Sequence, residues 1–378
     1  MIAVNTFEAV VDQDTSKYQR YGVSVEEYSM FHQQGFLVVR GLVPPEDIDE
    51  LRQHTEDLMQ GRLPEQTAEM RERDIAGDGG VTIQGLEAPP AHLLPAEKAQ
   101  YFLRIHMLHR KLVLHERYML HPRVLDVLEA LIGPDVLALQ TMLFLKPPGK
   151  PGQGWHQDTF YIPTHPDTLC GAWIAIDDCD ERNGAMWFAT GSQHGPYPPA
   201  RGHFHGDKQL HDIAYISGES NPDDAQNDLA TIADRFPQLL VAAKAGDVVF
   251  FAGHVLHRSK QNWTTDHFRR AFVSHYCNAR SFTEWGINEG ASEDHERPAL
   301  DPATGMTNGS HILARGDTHL PFALPRFGTP CAALLSPEQR RNQRAFAATM
   351  MGDMDSGMMD AAVADPNLEH DHGDDEQA

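Results

Sequence analysis

Residues 146–163 read KPPGKPGQGWHQDTFYIP, and residues 245–262 read AGDVVFFAGHVLHRSKQN; together these two stretches decide the fold. The first carries His156 and Asp158, and the second carries His257. If His156 and Asp158 share a strand, they point to the same side, because side chains alternate along a strand. A histidine from a distant strand then completes a face of two imidazoles and one carboxylate. Such a face holds a metal ion at three positions and leaves the others free for further ligands.

The His-x-Asp pattern is common in this chain, which contains 22 histidines. The four matches are His156/Asp158, His165/Asp167, His205/Asp207 and His372/Asp374. The second contains a proline, which interrupts strand pairing. The third lies in a polar insertion, and the fourth lies in the acidic C-terminal segment. The first adjoins apolar strand sequence on both sides, so we select it as the metal-binding pair.

The third ligand is ambiguous on spacing alone. His254 and His257 are three positions apart, so on one strand they face opposite sides. One of them can therefore point inward with its neighbours. Either could instead be an ordinary core histidine whose hydrogen bonds are satisfied by the protein.

Composition and charge limit the class of protein. The chain has 378 residues, 41% of them hydrophobic, which suits one large globular domain or two ordinary ones. We predict a single domain over residues 1–350 and a disordered tail over residues 351–378, where nine acidic side chains stand without Lys or Arg. The net charge of −23 disfavours nucleic acid and anionic membranes as partners, since both bind basic patches.

The sequence favours a cytoplasmic location. The N-terminal residues lack the basic start and apolar core of a secretory signal. No apolar run approaches the roughly 20 residues that cross a membrane. The four cysteines show no metal-binding spacing and are too sparse for a disulfide framework, so free thiols are expected.

The N-terminal third is predicted to be largely helical. Residues 24–27 have the form of a capping box and open a first helix that Gly35 ends. FLVVRG follows as a strand. Pro44 and Pro45 open a second helix, and a third follows Pro122, each with apolar residues at helical spacing.

From residue 136 the pattern changes to short strands. The segments are VLALQTMLFLK, LCGAWIAIDD, GAMWFAT, DVVFFAG and RRAFVSHYC. Asn183-Gly184 predicts a hairpin between the second and third. Residues 195–245 and 281–335 show no clear strand pattern and read as loops or insertions. The whole predicts a mainly β barrel or sandwich buttressed by helices on one side.

Several of these motifs together resemble a known family. The motifs are VEEYSMFHQQGFLVVRGLVPPEDIDELR, KPPGKPGQGWHQD, NGAMWFATGSQHG and GDVVFFAGHVLHRSKQNWTTDHFRRAFVSHY. They are similar, in this order, to motifs of the phytanoyl-CoA dioxygenase family of iron(II)- and 2-oxoglutarate-dependent oxygenases. The resemblance covers roughly residues 20–280. It implies a double-stranded β-helix, or jelly roll, with the metal at one mouth of the barrel.

The resemblance also implies roles for individual residues. His156, Asp158 and His257 would hold iron(II); the family's LH-x-S-x-x-N pattern selects His257 over His254. Arg269 begins the final strand and would bind the distal carboxylate of 2-oxoglutarate with two parallel hydrogen bonds. Ser259 would point to the same side as His257.

Three further positions match contacts that the family makes with its cosubstrate. Other residues near the ligands have two possible roles. The cosubstrate positions are Met142, Trp173 and Arg104; Met142 and Trp173 are equally compatible with ordinary core positions. Gln140 shares the strand parity of Met142 and points either inward or to the surface. Four basic residues near the ligands either contact an anionic substrate or are solvated charges at the rim: Lys146, Lys150, Arg258 and Lys260.

The resemblance implies that O2 and 2-oxoglutarate are cosubstrates, that succinate and CO2 are released, and that an unactivated C–H bond of a small molecule is hydroxylated. Halogenating relatives lack the carboxylate ligand, so Asp158 favours hydroxylation, or desaturation or ring chemistry by the same route, over halogenation; the sequence does not decide among these outcomes. A zinc enzyme on the same barrel, or a catalytically silent binding protein, is the alternative. Arg269 and Ser259 disfavour both alternatives. The primary substrate and the oligomeric state cannot be read from the sequence.

Overall fold

The computed structural model describes residues 17–63, 82–85, 89–110, 112–195, 228–281, 283, 299–300, 307–308 and 311–318. The helices are α1 (Val25–Gln34), α2 (Pro45–Met59), α3 (Pro95–Lys98), α4 (Val113–Met119), α5 (Pro122–Ile132) and α6 (Asp228–Ala233). The first seven strands are β1 (Phe36–Val39), β2 (Thr82–Gly85), β3 (Phe102–His106), β4 (Val136–Phe144), β5 (Gln153–His156), β6 (Cys170–Ala175) and β7 (Met186–Ala189). The others are β8 (Gln238–Val241), β9 (Val248–Ala252), β10 (His257–Ser259), β11 (Ala271–Asn278), β12 (Ala299–Leu300), β13 (Thr307–Asn308) and β14 (Ile312–Arg315).

Two antiparallel sheets face each other. The larger sheet has eight strands in the order β1-β9-β6-β11-β4-β3-β2, with β14 also paired to β4. The smaller has four strands in the order β5-β10-β7-β8. Phe36 of the larger sheet stacks on Phe188 of the smaller, with ring centroids 4.4 Å apart. The predicted mainly β jelly roll is confirmed.

The N-terminal helices cover the outer face of the larger sheet. Ser24 and Glu27 form the predicted capping box of α1, and Gly35 ends the helix in the left-handed conformation at φ 86°. Helix α5 buries one apolar stripe, which comprises Val124, Leu125, Val127, Leu128 and Leu131. This stripe belongs to the same hydrophobic cluster as Phe250 and Phe272 of the larger sheet. Burial of this apolar surface is what attaches the helices to the barrel.

The largely helical N-terminal third is confirmed in its described part, but three expectations about strand positions were wrong. Asn183-Gly184 does not join a hairpin, because β6 and β7 lie in different sheets; the turn carries the chain from one sheet to the other. The N-terminal third also contributes strands, β2 and β3, to the larger sheet. Within residues 195–245, β8 pairs with β7. Within residues 281–335, β14 pairs with β4 and β12 with β13. These strands are short, so they carry little periodic signal.

Some predictions lie outside the described residues. They are the acidic tail at 351–378 and the His205/Asp207 and His372/Asp374 pairs. Among the helices described, none is long and apolar enough to cross a membrane.

Gly152 lies where the chain entering β5 passes closest to β10. A Cβ built on Gly152 would lie 1.9 Å from the main-chain oxygen of Ser259, which cannot retreat without disturbing the strand pairing. We expect Gly152→Ala to lower the free energy of unfolding by about 1–3 kcal/mol, as overpacking does. Urea denaturation measures the change. Gly22→Ala is the matched control, since its Cβ would meet no atom within 4 Å; equal losses in both variants would contradict the steric argument.

Candidate metal centre and the pocket beside it

Three side chains converge inside the barrel between the two sheets. One possible ligand atom from each of His156, Asp158 and His257 lies within 4.8 Å of the other two. Asp158 Oδ1 is 3.7 Å from His156 Nε2 and 3.8 Å from His257 Nε2. All three residues are buried. Two imidazole nitrogens and one carboxylate oxygen around a common point can hold a divalent metal ion and leave coordination positions open.

Asp158 reaches this position from a turn rather than from a strand. Strand β5 ends at His156, and Asp158 begins a 3₁₀ turn, so the expectation of a shared strand was wrong. Gln157 between them is extended, at φ −122° and ψ 133°. The alternation of side chains therefore continues through Gln157, and His156 and Asp158 still face the same point.

Each histidine is oriented by a main-chain carbonyl two residues before it. His156 Nδ1 lies 2.8 Å from the oxygen of Gly154, and His257 Nδ1 lies 3.1 Å from the oxygen of Val255. A carbonyl oxygen only accepts, so each Nδ1 carries the hydrogen and donates it. Each Nε2 then carries a lone pair, which is the tautomer that binds a metal through Nε2.

The charges of the cluster suit a cation. Burial, followed by the neighbouring His257, lowers the pKa of His156 to about 3, so His156 is neutral near pH 7. Burial alone would raise the pKa of Asp158, but the imidazoles of His275 and His257 outweigh it and hold the pKa below its ordinary value. The cluster therefore presents an ionised carboxylate beside a neutral imidazole, the protonation states that metal binding requires.

His254 lies apart from this cluster. Its Nε2 is 2.8 Å from Asp167 Oδ2, and the Asp167 side chain is half exposed. His257 instead pairs with His156 across β5 and β10. The spacing of the two histidines could not identify the ligand. In the structure His257 lies in the cluster, and His254 contacts Asp167, which belongs to the His165/Asp167 match.

Arg269 and its neighbour Arg270 have different surroundings. Arg270 donates to both oxygens of Asp177, at 2.7 and 2.8 Å, and also to Glu56. Arg269 is 2% exposed, and its Nε has no hydrogen-bond partner among the described residues. Burial lowers its pKa to about 10, so it is still a cation at neutral pH. A buried cation without a carboxylate is costly, so this position suits an anionic ligand.

Arg269 lines a pocket together with Gln153, whose side-chain nitrogen lies 2.9 Å from His156 Nε2 of the triad. The residues that line it are Leu103, Arg104, Phe144, Lys146, Pro151, Gly152, Gln153, Ser259 and Arg269. None of these lining residues is acidic. The predicted cosubstrate positions Arg104 and Ser259 thus share one pocket with Arg269.

Met142 and Trp173 lie in the apolar wall between the sheets. Both belong to the hydrophobic cluster inside the barrel. The guanidinium carbon of Arg269 lies 5.6 Å from the centroid of the Trp173 ring, within range of a cation–π interaction. Trp173 therefore contacts the arginine directly, whereas Met142 belongs to the same cluster on β4, a strand that neighbours β11.

Gln153 was missed by the sequence argument because a β-bulge changes the parity of its strand. His257 pairs with His156 and Ser259 pairs with Gln153, so two residues of β5 lie between these pairs opposite one residue of β10. Gln153 consequently faces inward with His156, and its Nε2 lies 2.9 Å from His156 Nε2. Its Oε1 accepts a hydrogen bond from Arg104 at 3.3 Å. The Gln153 amide thus lies between the triad and the pocket.

Lys146 and Arg258 are not solvated rim charges. Lys146 is 5% exposed, and its Nζ donates to the main-chain oxygens of Gly184 and Lys260. Burial and the nearby Arg269 hold its pKa well below the ordinary value. Arg258 lies over the Trp155 ring at 4.7 Å. His275, which sequence reasoning also missed, lies 2.7 Å from Asp158. It is on β11, which begins at Ala271 and not at Arg269 as predicted.

A jelly roll that holds two histidines and a carboxylate inside the barrel, beside a buried arginine, defines the class of non-haem iron dioxygenases that use 2-oxoglutarate and O2. Residues 31–271 match the family model described as phytanoyl-CoA dioxygenase (PhyH). The chain belongs to the phytanoyl-CoA dioxygenase family, as the sequence motifs indicated.

Individual proteins agree with this assignment. A probable phytanoyl-CoA dioxygenase of Caenorhabditis elegans is 29% identical over 280 residues, which are 69% of this chain and 78% of that protein. The peroxisomal phytanoyl-CoA dioxygenase of Homo sapiens is 28% identical over 262 residues, 68% of this chain and 69% of that protein. The crystal structure of the non-haem α-ketoglutarate-dependent carbocyclase SnoK from nogalamycin biosynthesis superposes with a TM-score of 0.50 at 17% identity, covering 72% of this chain and 92% of that one. At this identity the superposition supports the fold.

Proposed function

We propose that this protein hydroxylates an unactivated C–H bond of a small molecule, with iron(II) held by His156, Asp158 and His257. One observation carries the proposal: the buried Arg269, whose Nε has no hydrogen-bond partner among the described residues, lines a pocket beside the triad together with Ser259. A hydrolytic zinc site has no use for a buried arginine that holds a carboxylate. A dianionic 2-oxo acid, in contrast, needs a metal at one end and a cation at the other.

When bound, iron and 2-oxoglutarate supply the activation of O2 that hydroxylation requires, a reaction for which amino-acid side chains have no equivalent. The chain supplies orientation and charge. Arg269 binds the distal carboxylate of 2-oxoglutarate, and Ser259, on the same side of β10 as His257, donates to it. Arg104 and Gln153 hold the part of the pocket between this carboxylate and the triad.

The apolar wall limits what else can enter. Met142, Trp173 and Phe144 face this part of the barrel and belong to its hydrophobic cluster or pack against it. Such a wall excludes bulk water from the pocket, which strengthens the electrostatic hold of Arg269 on a carboxylate. It also protects a reactive site from side reactions with solvent.

The test of the function is release of succinate. We expect aerobic incubation with iron(II), ascorbate and 2-oxoglutarate to release succinate well above an Asp158→Ala control, because that variant loses the only carboxylate among the proposed ligands. Adding candidate small molecules, phytanoyl-CoA among them, should stimulate the release. Equal succinate from the two proteins would refute the proposed dioxygenase activity.

We also propose that the protein works in the cytoplasm as one catalytic domain followed by an acidic tail. Cys170, Cys179 and Cys277 are buried free thiols, which is typical of a reducing compartment. Several relatives are described as peroxisomal; fractionation of cells that produce the protein would distinguish the two locations.

A further inference from the structure

The two oxygens of Asp158 have different surroundings. Oδ1 lies 3.7 Å from His156 Nε2 and 3.8 Å from His257 Nε2, on the side where the three candidate ligand atoms converge. Oδ2 lies 2.7 Å from Nε2 of His275, at hydrogen-bond distance. Oδ1 therefore faces the other two candidate ligands, while Oδ2 is hydrogen-bonded by His275, which is not itself a candidate ligand.

His275 is fixed in place by its strand neighbours. It lies in β11 opposite Gly171 of β6 and Gln140 of β4, and it is 1% exposed. Gly171 has no side chain, which leaves room for the ring of Phe251: a Cβ at Gly171 would lie 2.3 Å from that ring. The ring of Phe251 meets the His275 ring edge to face, with centroids 6.3 Å apart. The imidazole is thus buried in a defined position rather than free to turn toward solvent.

The hydrogen-bond partners of His275 define its tautomer. A carboxylate oxygen only accepts, so Nε2 of His275 carries the hydrogen that it donates to Asp158. Nδ1 of His275 lies 3.1 Å from Nε2 of Gln140. The amide nitrogen donates and the Nδ1 lone pair accepts. Gln140, which is 8% exposed, therefore keeps the hydrogen of His275 on the nitrogen that faces Asp158.

We propose that His275 and Gln140 form a positioning pair that holds Asp158 as a one-oxygen metal ligand. His275 binds Oδ2 and leaves Oδ1 as the oxygen that reaches the metal; Gln140 selects the tautomer of His275 that can do this. This inference rests on the proposed function in that the bound ion is taken to be iron(II). Partners that orient a ligand from behind typically contribute 10- to 100-fold to metal affinity.

The alternative is that His275 and Gln140 are core residues that contribute to stability alone. Both explanations predict a lower melting temperature when the pair is disrupted. They differ in metal binding, because a core residue has no reason to alter the affinity of a correctly folded protein. They also differ in which substitution restores function, because glutamine can place an N–H near the position of the histidine Nε2 and leucine cannot.

The experiment measures metal affinity without turnover. Cobalt(II) and, anaerobically, iron(II) are titrated into the full-length protein by calorimetry, and the visible absorption of bound cobalt(II) reports the ligand geometry. We expect His275→Leu to weaken binding by about 10- to 100-fold and to change the cobalt spectrum. We expect His275→Gln to remain much closer to the wild type, and Gln140→Leu to fall between the two. Tyr276→Phe, on the same strand, is the control for damage to β11: its hydroxyl donates to the main-chain oxygen of Met119.

Each outcome decides the inference. Wild-type affinity in folded His275→Leu would overturn it, as would a His275→Gln variant that binds metal as poorly as His275→Leu. If circular dichroism shows that His275→Leu does not fold, Gln140→Leu decides instead, and unchanged affinity there would overturn the proposed tautomer selection. Failure of the wild type to bind either metal would refute the proposed function itself, which keeps the two failures distinct.

Discussion

Arg269→Leu is expected to raise the 2-oxoglutarate concentration needed for half-maximal succinate release by about 100-fold, while iron(II) affinity stays within a few-fold of the wild type. The guanidinium is buried, and in the part of the chain that the structure describes its Nε has no hydrogen-bond partner, so a bound carboxylate would form two charge-assisted hydrogen bonds with it. Losing them costs on the order of 3 kcal/mol, which corresponds to about a 100-fold change in affinity. Steady-state kinetics at varied 2-oxoglutarate, with a separate iron titration, measures both quantities.

Arg270→Gln is the matched control. The two arginines are adjacent, but Arg270 is occupied by Asp177 and Glu56 on the other side of the sheet. Its loss leaves buried or half-buried carboxylates without their cation, so the melting temperature should fall while the 2-oxoglutarate requirement stays nearly constant. If Arg270→Gln raised that requirement as much as Arg269→Leu, the effect would be one of general damage to β11, and the role of Arg269 would be disproved.

The second large effect is expected on iron(II) affinity, when His257 of β10 and His254 of the preceding turn are each replaced by alanine. His257→Ala should weaken iron(II) binding by more than about 100-fold, since even partners behind the ligands contribute 10- to 100-fold. His254→Ala should leave iron affinity within a few-fold of the wild type. His254 is paired with a half-exposed aspartate, and such a pair contributes about 0–1 kcal/mol to stability. Anaerobic calorimetry with iron(II) compares the two variants directly.

The reverse result would have a clear meaning. If His254→Ala lost iron and His257→Ala kept it, the loop between β9 and β10 would have to be rearranged in the metal-bound protein. Both alanine variants remove one imidazole from neighbouring positions, so each controls for the other in protein production and purity.

Much of the fold could be predicted from the sequence because its signals are local. The capping box at Ser24, the proline-initiated helices and the five β-rich segments all depend on residues close together in the chain. The short strands β3, β8 and β14 could not be predicted, since each gains its stability from a partner far away in the sequence. The wrong hairpin at Asn183-Gly184 has the same origin, because a turn signal does not specify which sheet follows.

The site was predictable to the extent that strand parity holds. Alternation from His257 to Ser259 indicated a common side, and both residues are buried on β10. Parity fails at Gln153, where a bulge adds one residue to β5. Strand periodicity does not predict the hydrogen bond between His275 and Asp158, or those from Lys146 to two main-chain carbonyls. Both depend on how distant segments of the chain pack together.

The two imidazoles of the triad are each oriented by a carbonyl only two residues upstream, Gly154 for His156 and Val255 for His257. The orientation of these two ligands therefore depends on main-chain atoms in the same short segment of the chain. Segments elsewhere in the molecule do not supply these two hydrogen bonds. Mutation or loop exchange at a distance can then alter which molecule is admitted while these two imidazoles keep their orientation.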